Sequence, residues 1–516
     1  MGKILIVTGQ EATNLVNKNV QHLDDVEVLT LPISIAAFIN ENLLRNALQS
    51  IQIDQFEFIL IPGLVKGSFE KVENEFGIPI FKGPRYAADI PLAIKMRDKL
   101  SKKKAADYAF IERDLEEIEK ILRQPVEGSN FFALGNNNYS IKIGKNLFPL
   151  IIAEIVDAPK RSLDEIINLS KYYIESGANI IDIGAEVKIS QPKKIYEIIK
   201  HLKSDKIFQD VPISIDSLNE NEILSGIDAG AELILSIDSG NINILDNISR
   251  DLALVILPTN VKKGYMPKSP QKRVEELNLN INTARDKGFN KIIGDPLLES
   301  PIYPGIFKSM TSYSIFREKD DQTPLMFGIG NVTELIDADT AGVNALMASI
   351  GIELGVNVYL TTEYSVKSRF SVKELSMALK LSYLARKRKT PPKDMPLNLL
   401  YAKSKSTNPP PIDIKGKEII HFETEIEIFH PDHLGFFQIW VDHRIKKIFV
   451  AHFINKSEIN KIFTGTSAEI IGKKIISLNL CSNTYHALYL GKELQKAEIC
   501  LNLGKSYVQD IKFGEL

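Results

Sequence analysis

Side chains that could do chemistry cluster at one kind of place in this sequence, the ends of short apolar runs. Glu154 lies in PLIIAEIV, Asp182 in ANIIDIG, Asp216 in PISIDS, and Ser236 and Asp238 in ELILSID. Asp295 follows in KIIGDPL, Asn331 in LMFGIGN, and Thr361, Thr362 and Glu363 in VYLTTE. These are mostly carboxylates and amides, with no His, no Cys and no Ser/His pair. Such a set suits a ligand that presents several N–H donors, and it offers no obvious nucleophile. Carboxylates alone could also hold a divalent metal, but no spacing singles out ligands. Taken one at a time, an Asp after a strand often only caps the next helix, and Asp216 in SIDSLNENE could cap a helix starting near Asn219. Six or more in one ring argue against a wholly structural reading.

The elements that must position these residues read as strand-then-helix units. Eight apolar strand candidates, including ALVILPT, recur between Leu147 and about Arg388, separated by amphipathic segments such as SLDEIINLSKYYIESG and SVKELSMALKLSYLARKRK. Eight such units in about 240 residues match a (β/α)8 barrel, whose strands are continuously apolar because both faces are buried. Its active site lies at the C-terminal strand ends, where the polar residues above fall. Gly177, Gly230, Gly288 and Gly355 stand where left-handed helix C-caps belong.

Outside this span, residues 1–125 form an N-terminal Rossmann-like α/β domain with a connecting helix. KILIVTG, DVEVLTLP, FEFILIPG and GIPIFKGP are strand-length runs that stop at Gly or Pro, and the stretch from 96 to 125 is charge-dense with helical spacing. Neither IPGLVKG nor FKGPRY is a nucleotide-binding loop. The barrel occupies 147–390, residues 391–416 are a Pro-rich linker, and 417–516 form a small C-terminal α+β domain whose strands begin with EIIHFETEIEIF. Six of the eight His lie after residue 420, including His430, His433, His443, His452 and His486. Without ligand spacing, scattered His are more often structural than metal-binding. The stripe Leu490, Leu494, Ala497 and Leu501 must be buried, most simply on the domain's own sheet.

Composition narrows the partners. In 516 residues, 63 Lys and Arg stand against 65 Asp and Glu, so there is no global positive field for nucleic acid or anionic membranes. Two cysteines, Cys481 and Cys500, cannot build a disulfide framework, and no uninterrupted apolar run is long enough to span a bilayer. A soluble cytoplasmic protein is expected, with no membrane partner.

The segments GANIIDIGAE, PISIDSLNENEILSGIDAGAELI and KIIGDPLLESP resemble those of the pterin-binding barrels, the superfamily of dihydropteroate synthase and the methyltetrahydrofolate:corrinoid methyltransferases. The whole-chain order, ending in HALYLGKELQKAEICLNLGKSYVQD, is similar to the archaeal-type dihydropteroate synthase-related proteins. The resemblance implies that Asp216 and Asp295 hold the pterin, whose adjacent exocyclic amine and N3 donors match a two-pronged carboxylate acceptor. It implies Asn331 at the N5 side, as in the methyltransferase branch, and Asp182 behind the pterin or on the phosphate side.

There are departures from the synthases. Their Ser-Arg-Lys run after strand 7 is replaced by Gly330, Asn331 and Val332, so the catalytic Lys is missing. Lys367 and Arg369 stand where they could instead serve a diphosphate or a phosphorylated arylamine. Three activities are therefore expected from the resemblance. The first is a dihydropteroate synthase-like transferase, with catalytic Asp295 and Asn331 and with Mg²⁺ admitted, joining 6-hydroxymethyl-dihydropterin diphosphate to an arylamine in folate or tetrahydromethanopterin-type biosynthesis. The second is a methyltransferase acting with a separate corrinoid protein, since no Asp-x-His-x-x-Gly motif occurs in the chain. The third is a non-catalytic pterin-binding subunit. The resemblance also admits a homodimer.

Overall fold

The computed structural model describes residues 2–110, 112–113, 116, 120, 131–135, 140–393, 397–404, 419–420, 431–456 and 458–513. The connecting helix expected over 96–125 is not continuous: Arg97–Lys99 form a 3₁₀ turn and a helical stretch begins only at 107. Its far end from 121 on, much of the linker, His430 and nearly all of EIIHFETEIEIF lie outside the described residues. Two compact units emerge: Met1–Pro125 with Lys387–Asn398 and Ser404–Ile419, and Val126–Arg386 with Leu399–Lys403 and Ile420–Leu516.

In the first unit, β1 (Lys3–Gly9), β2 (Val26–Leu31), β3 (Phe56–Ile61) and β4 (Ile80–Lys82) form a parallel sheet in the order β2-β1-β3-β4. Side chains alternate across a strand, and both faces are covered here. Leu5, Val7, Ile59 and Ile61 enter one core, while Ile4, Ile6, Phe58 and Leu60 enter another. That is why KILIVTG and FEFILI read as unbroken apolar runs.

The second unit opens with a feature that the sequence reading assigned to no element. Antiparallel β5 (Phe131–Gly135) and β6 (Ser140–Gly144) pack Leu134, Ile141 and Ile143 against Leu150, Ile180, Leu233, Val255 and Val358 in the barrel interior. Asn357 Nδ2 donates to Gly144 O at 2.7 Å and fixes the hairpin to the start of the last barrel strand.

Eight parallel strands follow: β7 (Leu150–Ile155), β8 (Ile180–Gly184), β9 (Ile213–Asp216), β10 (Leu233–Ile237), β11 (Ala253–Ile256), β12 (Ile292–Gly294), β13 (Met326–Gly328) and β14 (Val358–Thr362). Neighbours pair in sequence order, β14 pairs with β7, and a parallel bridge from Gly294 to Leu325 joins β12 to β13, so the sheet closes into a barrel. Helices follow seven of the strands. After β10 only a 3₁₀ segment, Ile242–Asn247, intervenes. The four glycines expected at helix C-termini all have left-handed backbones, with φ between +71° and +112°. The helix Leu163–Glu175 begins with a capping box between Ser162 and Glu165.

The C-terminal module is an antiparallel sheet of β15 (Phe436–Asp442), β16 (Lys447–Asn455) and β17 (Glu458–Gly465), covered on one face by helices Ala468–Ser477 and Thr484–Leu503. Leu490, Leu494, Ala497 and Leu501 are buried against Phe437, Ile439, Ile448 and Val450, so the stripe is absorbed by the module's own sheet. The module also touches the barrel. Arg369 Nη1 donates to Gly504 O at 3.2 Å, and Lys446 Nζ sits 4.5 Å from the centre of the Tyr172 ring.

Candidate active site

The strand register brings carboxylates from three adjacent strands to one level. Glu154 on β7 pairs with Asp182 on β8, and Asp216 closes β9 opposite Gly184. Each contributes an oxygen, and the three oxygens lie within 4.8 Å of one another. Asp182 is fully buried. Its Oδ1 accepts from Ser214 Oγ at 2.6 Å, whereas its Oδ2 has no partner. Asp216 accepts from Ser236 Oγ at 2.7 Å. Ser236 holds φ +69°, a left-handed conformation costly for a residue with a Cβ, so backbone strain sits next to the cluster. Asp216 does not cap the following helix; Asn219 does, accepting from Asn221 N and Glu222 N.

Burial with few donors favours the protonated form of these acids. Glu154 is pushed up to about 8, by burial first and then by the charges of Asp216, Asp157 and Glu334. Asp182 is raised well above the ordinary value by burial and by its two neighbours, against a small pull from Ser214. Burial also raises Asp216, opposed by Ser236. A pit of this kind is short of N–H and O–H donors and is stabilised by any ligand that brings them. A divalent cation would relieve the same repulsion.

Asp295, after β12, is buried and better provided for. Its Oδ1 accepts from Leu297 N at 2.8 Å and from the Tyr313 hydroxyl at 2.8 Å. Burial pushes it up to about 6 against those bonds and the Arg273 charge, and Asp216 adds a little to the push. Arg273, itself buried, pairs with Glu299 at 2.9 Å and donates to Leu297 O, so it locks the loop that carries Asp295. Asn331, in the short helix Gly330–Thr333, donates from Nδ2 to Leu298 O at 2.9 Å, which ties it to the same loop.

Other candidates turn inward to hold the scaffold. Asp238 accepts from Gly240 N, Thr259 Oγ1 and Val261 N, pinning the loops after β10 and β11. Thr362 Oγ1 reaches Glu154 O at 3.3 Å, and Thr361 faces Ser371. Glu363 accepts from Val372 N and the Tyr172 hydroxyl and is pushed up by burial to about 7. Of the two cations expected to serve a phosphate, Lys367 pairs with Asp337 at 2.6 Å and Arg369 reaches Gly504 O in the C-terminal module. Neither makes a bond to the carboxylate cluster.

The structure thus gathers Asp182 and Asp216, sets Asp295 on a neighbouring loop to which Asn331 is tied from its own short helix, and leaves Lys367 and Arg369 engaged elsewhere. It brings the strand-end candidates Glu154 and Ser236 into the same cluster and adds Ser214, Tyr313 and Arg273. Ser214 carried a signal, since it stands two residues before Asp216 in ISID and so shares its face of the strand. Tyr313 and Arg273 lie on helices far along the chain and carried none.

The same span answers to known proteins. A family model described as "Pterin binding enzyme" matches residues 155–304, one named PterinBD-DUF4346 matches 431–510, and a family of unknown function (DUF6513) matches 2–85. Over 524 aligned positions, 98% of each chain, the sequence is 38% identical to the uncharacterized protein MJ0107 of Methanocaldococcus jannaschii. Among solved structures, dihydropteroate synthase of Yersinia pestis, with a pterine-sulfa conjugate, is 18% identical at a TM-score of 0.39 and covers 50% of this chain and 100% of its own. The Coxiella burnetii synthase in complex with pteroic acid is 17% identical at a TM-score of 0.39, covering 50% and 99%. The chain belongs to the family of the M. jannaschii protein, and within its barrel residues 155–304 match the pterin-binding family model.

Proposed function

We propose that the barrel binds a reduced pterin and transfers the methyl group carried on its N5 to an acceptor delivered by a separate corrinoid protein. Asp216 and Asp295 take the ring's amine and N3 donors, with Asp182 behind them. One observation carries the choice of methyl transfer over condensation. The mouth is lined by carboxylates, and among the described residues the two cations that a phosphate was expected to use, Lys367 and Arg369, are engaged by Asp337 and by Gly504 O, so neither stands ready as counter-charge for a diphosphate leaving group. Methyl transfer needs none. The acceptor's electron pair forms the new bond to the methyl carbon, the C–N5 bond breaks, and its electrons stay on N5, which must hold a proton to leave as a neutral amine. Asn331 suits that step: Leu298 O fixes its amide, and its oxygen, free of protein donors among the described residues, can accept from a protonated N5. Glu154, still protonated near neutral pH, is a proton reservoir close by.

The synthase-like condensation stays as a second reading for one reason. Mg²⁺ held by Glu154, Asp182 and Asp216 would provide the missing positive charge. Two assays on the purified chain decide. With a methyl-tetrahydropterin and reduced corrinoid, methyl transfer is expected and should collapse in Asn331→Ala. With pterin diphosphate, Mg²⁺ and a panel of arylamines, no diphosphate release is expected. Diphosphate release without methyl transfer would reverse the order of the two readings, and pterin binding without either turnover would favour a non-catalytic pterin-binding subunit.

A further inference from the structure

The C-terminal module carries a second convergence of ligand-type side chains, remote in kind from the barrel mouth. Asp432 lies in the loop that leads into β15, while Cys481 and His486 flank the start of the helix Thr484–Leu503. One ligand atom from each lies within 4.8 Å of the other two. His486 Nδ1 is 3.1 Å from Asp432 Oδ2, and the Cys481 thiol donates to Asn483 O at 3.5 Å. We propose that Asp432, Cys481 and His486 form a binding site for a zinc-type divalent cation.

The donor set selects the metal class. A thiolate, an imidazole and a carboxylate together suit Zn²⁺ and its soft or borderline relatives, whereas Mg²⁺ and Ca²⁺ prefer oxygen alone. With metal–ligand bonds of about 2.0–2.3 Å, tetrahedral ligands stand roughly 3.3–3.8 Å apart. Bringing three atoms from within 4.8 Å to that spacing takes side-chain adjustments of an ångström or so, not a rebuilt backbone.

The surroundings are those of an oriented ligand set. Asp432 is held by Leu434 N at 3.0 Å, Ser482 N at 2.8 Å and Asn483 N at 3.1 Å, with Ser482 Oγ at 2.7 Å. Ligating carboxylates are commonly fixed by such outer bonds. His486 is mostly buried and its ring packs 5.3 Å from that of Phe437. The fourth position falls to water or to the exposed His433, whose Nδ1 is 3.9 Å from Asp432 Oδ1. On loading, the Cys481 thiol loses its proton to solvent, the His486 proton moves from Nδ1 to Nε2, and the metal takes the place of that hydrogen bond. Among the described residues of the module, His452 lies between Leu434 O and Asn460, and His443 reaches Lys505 O, so both are engaged elsewhere. A metal here would staple the entrance of the sheet to the start of the long helix.

The full chain, reduced and stripped with a chelator, is titrated with Co²⁺ as a spectroscopic stand-in and then with Zn²⁺. One equivalent and a thiolate-to-cobalt charge-transfer band are expected. The band should vanish in Cys481→Ser and persist in Cys500→Ser, and His486→Gln should weaken Zn²⁺ binding at least tenfold. Zn²⁺ should also shield Cys481, and not Cys500, from alkylation. Asp432→Asn is avoided because Asp432 also holds the helix start. No band in the wild type, or an undiminished band in Cys481→Ser, overturns the proposal.

Discussion

The barrel mouth and the loop before β15 each gather three ionisable ligand-type groups within the same 4.8 Å, yet they are opposite kinds of site. Glu154, Asp182 and Asp216 are acids only. They receive two serine hydroxyls between them, and one buried oxygen of Asp182 receives nothing. Asp432 by contrast takes three backbone N–H groups, a hydroxyl and an imidazole. Proximity alone therefore says little, and the supply of donors decides. A donor-starved pit holds protons until a ligand brings N–H groups, whereas a donor-rich carboxylate stays ionised and oriented and can share its charge with a cation.

The largest expected effect tests the starved side. If a pterin's N–H donors fill the pit, Asp216→Ala and Asp295→Ala should each weaken pterin binding by about 2 kcal/mol or more, roughly 30-fold, because a buried donor loses a charged partner. Titration calorimetry with pterin, reduced pterins and unrelated heterocycles measures this. Equal binding by wild type and both variants would remove the site from the mouth.

Next in size is the pH dependence of the ligand-free protein, which separates the two regions by sign. Glu154 moves from 4.5 to about 8 on folding, so its contribution is complete below about 4.5 and is lost as pH rises toward 8. Asp182 acts in the same direction. Asp432 moves down from 3.8, so its contribution is present above that value and is lost as pH falls. Thermal unfolding from pH 3 to pH 9 should therefore show two limbs. Glu154→Gln should flatten the limb between about pH 4.5 and 8 and leave the acid limb in place. A flat profile between pH 5 and 8 in the wild type would contradict the donor-starved description.

Much of this frame was legible in the sequence because its causes are local. Parallel strands buried on both faces must be apolar throughout, so ANIIDIG and ALVI announce themselves, and the left-handed glycines mark helix ends by a backbone requirement that favours Gly. Asp182, Asp216, Asp295 and Asn331 stood out as candidates because a barrel puts its polar strand ends at one mouth. The hairpin β5–β6 was not found, since FFALGNNNYSIKIG is short and gains its partners only inside the barrel. Nor could the sequence tell that Asn219 rather than Asp216 caps its helix, or that Arg273 and Tyr313 would reach Asp295. The engagement of Arg369 with Gly504, 135 residues away in the chain, belongs to tertiary contact alone. Arg369→Ala should therefore loosen the C-terminal module, seen as faster amide exchange around Gly504, before it alters pterin affinity.

The smallest expected effect is also the one that discriminates between chemistries. Lys367 and Asp337 form an exposed pair, with Asp337 almost entirely in water, and such pairs contribute about 0–1 kcal/mol. Lys367→Ala should leave thermal stability nearly unchanged. If the mouth transfers a methyl group, no anion ever needs this lysine, and the rate of methyl transfer and the affinity for a methyl-tetrahydropterin should both stay within about twofold of wild type. If the mouth instead displaces diphosphate, Lys367 must leave Asp337 to meet the leaving group, and a charge-assisted contact worth about 1.5–3 kcal/mol would be lost from the transition state, a fall of roughly tenfold or more in kcat/KM. A large kinetic loss in a variant of normal stability would mean that the lysine swings into the mouth during turnover, and would move the site from the methyltransferase side of its superfamily to the synthase side.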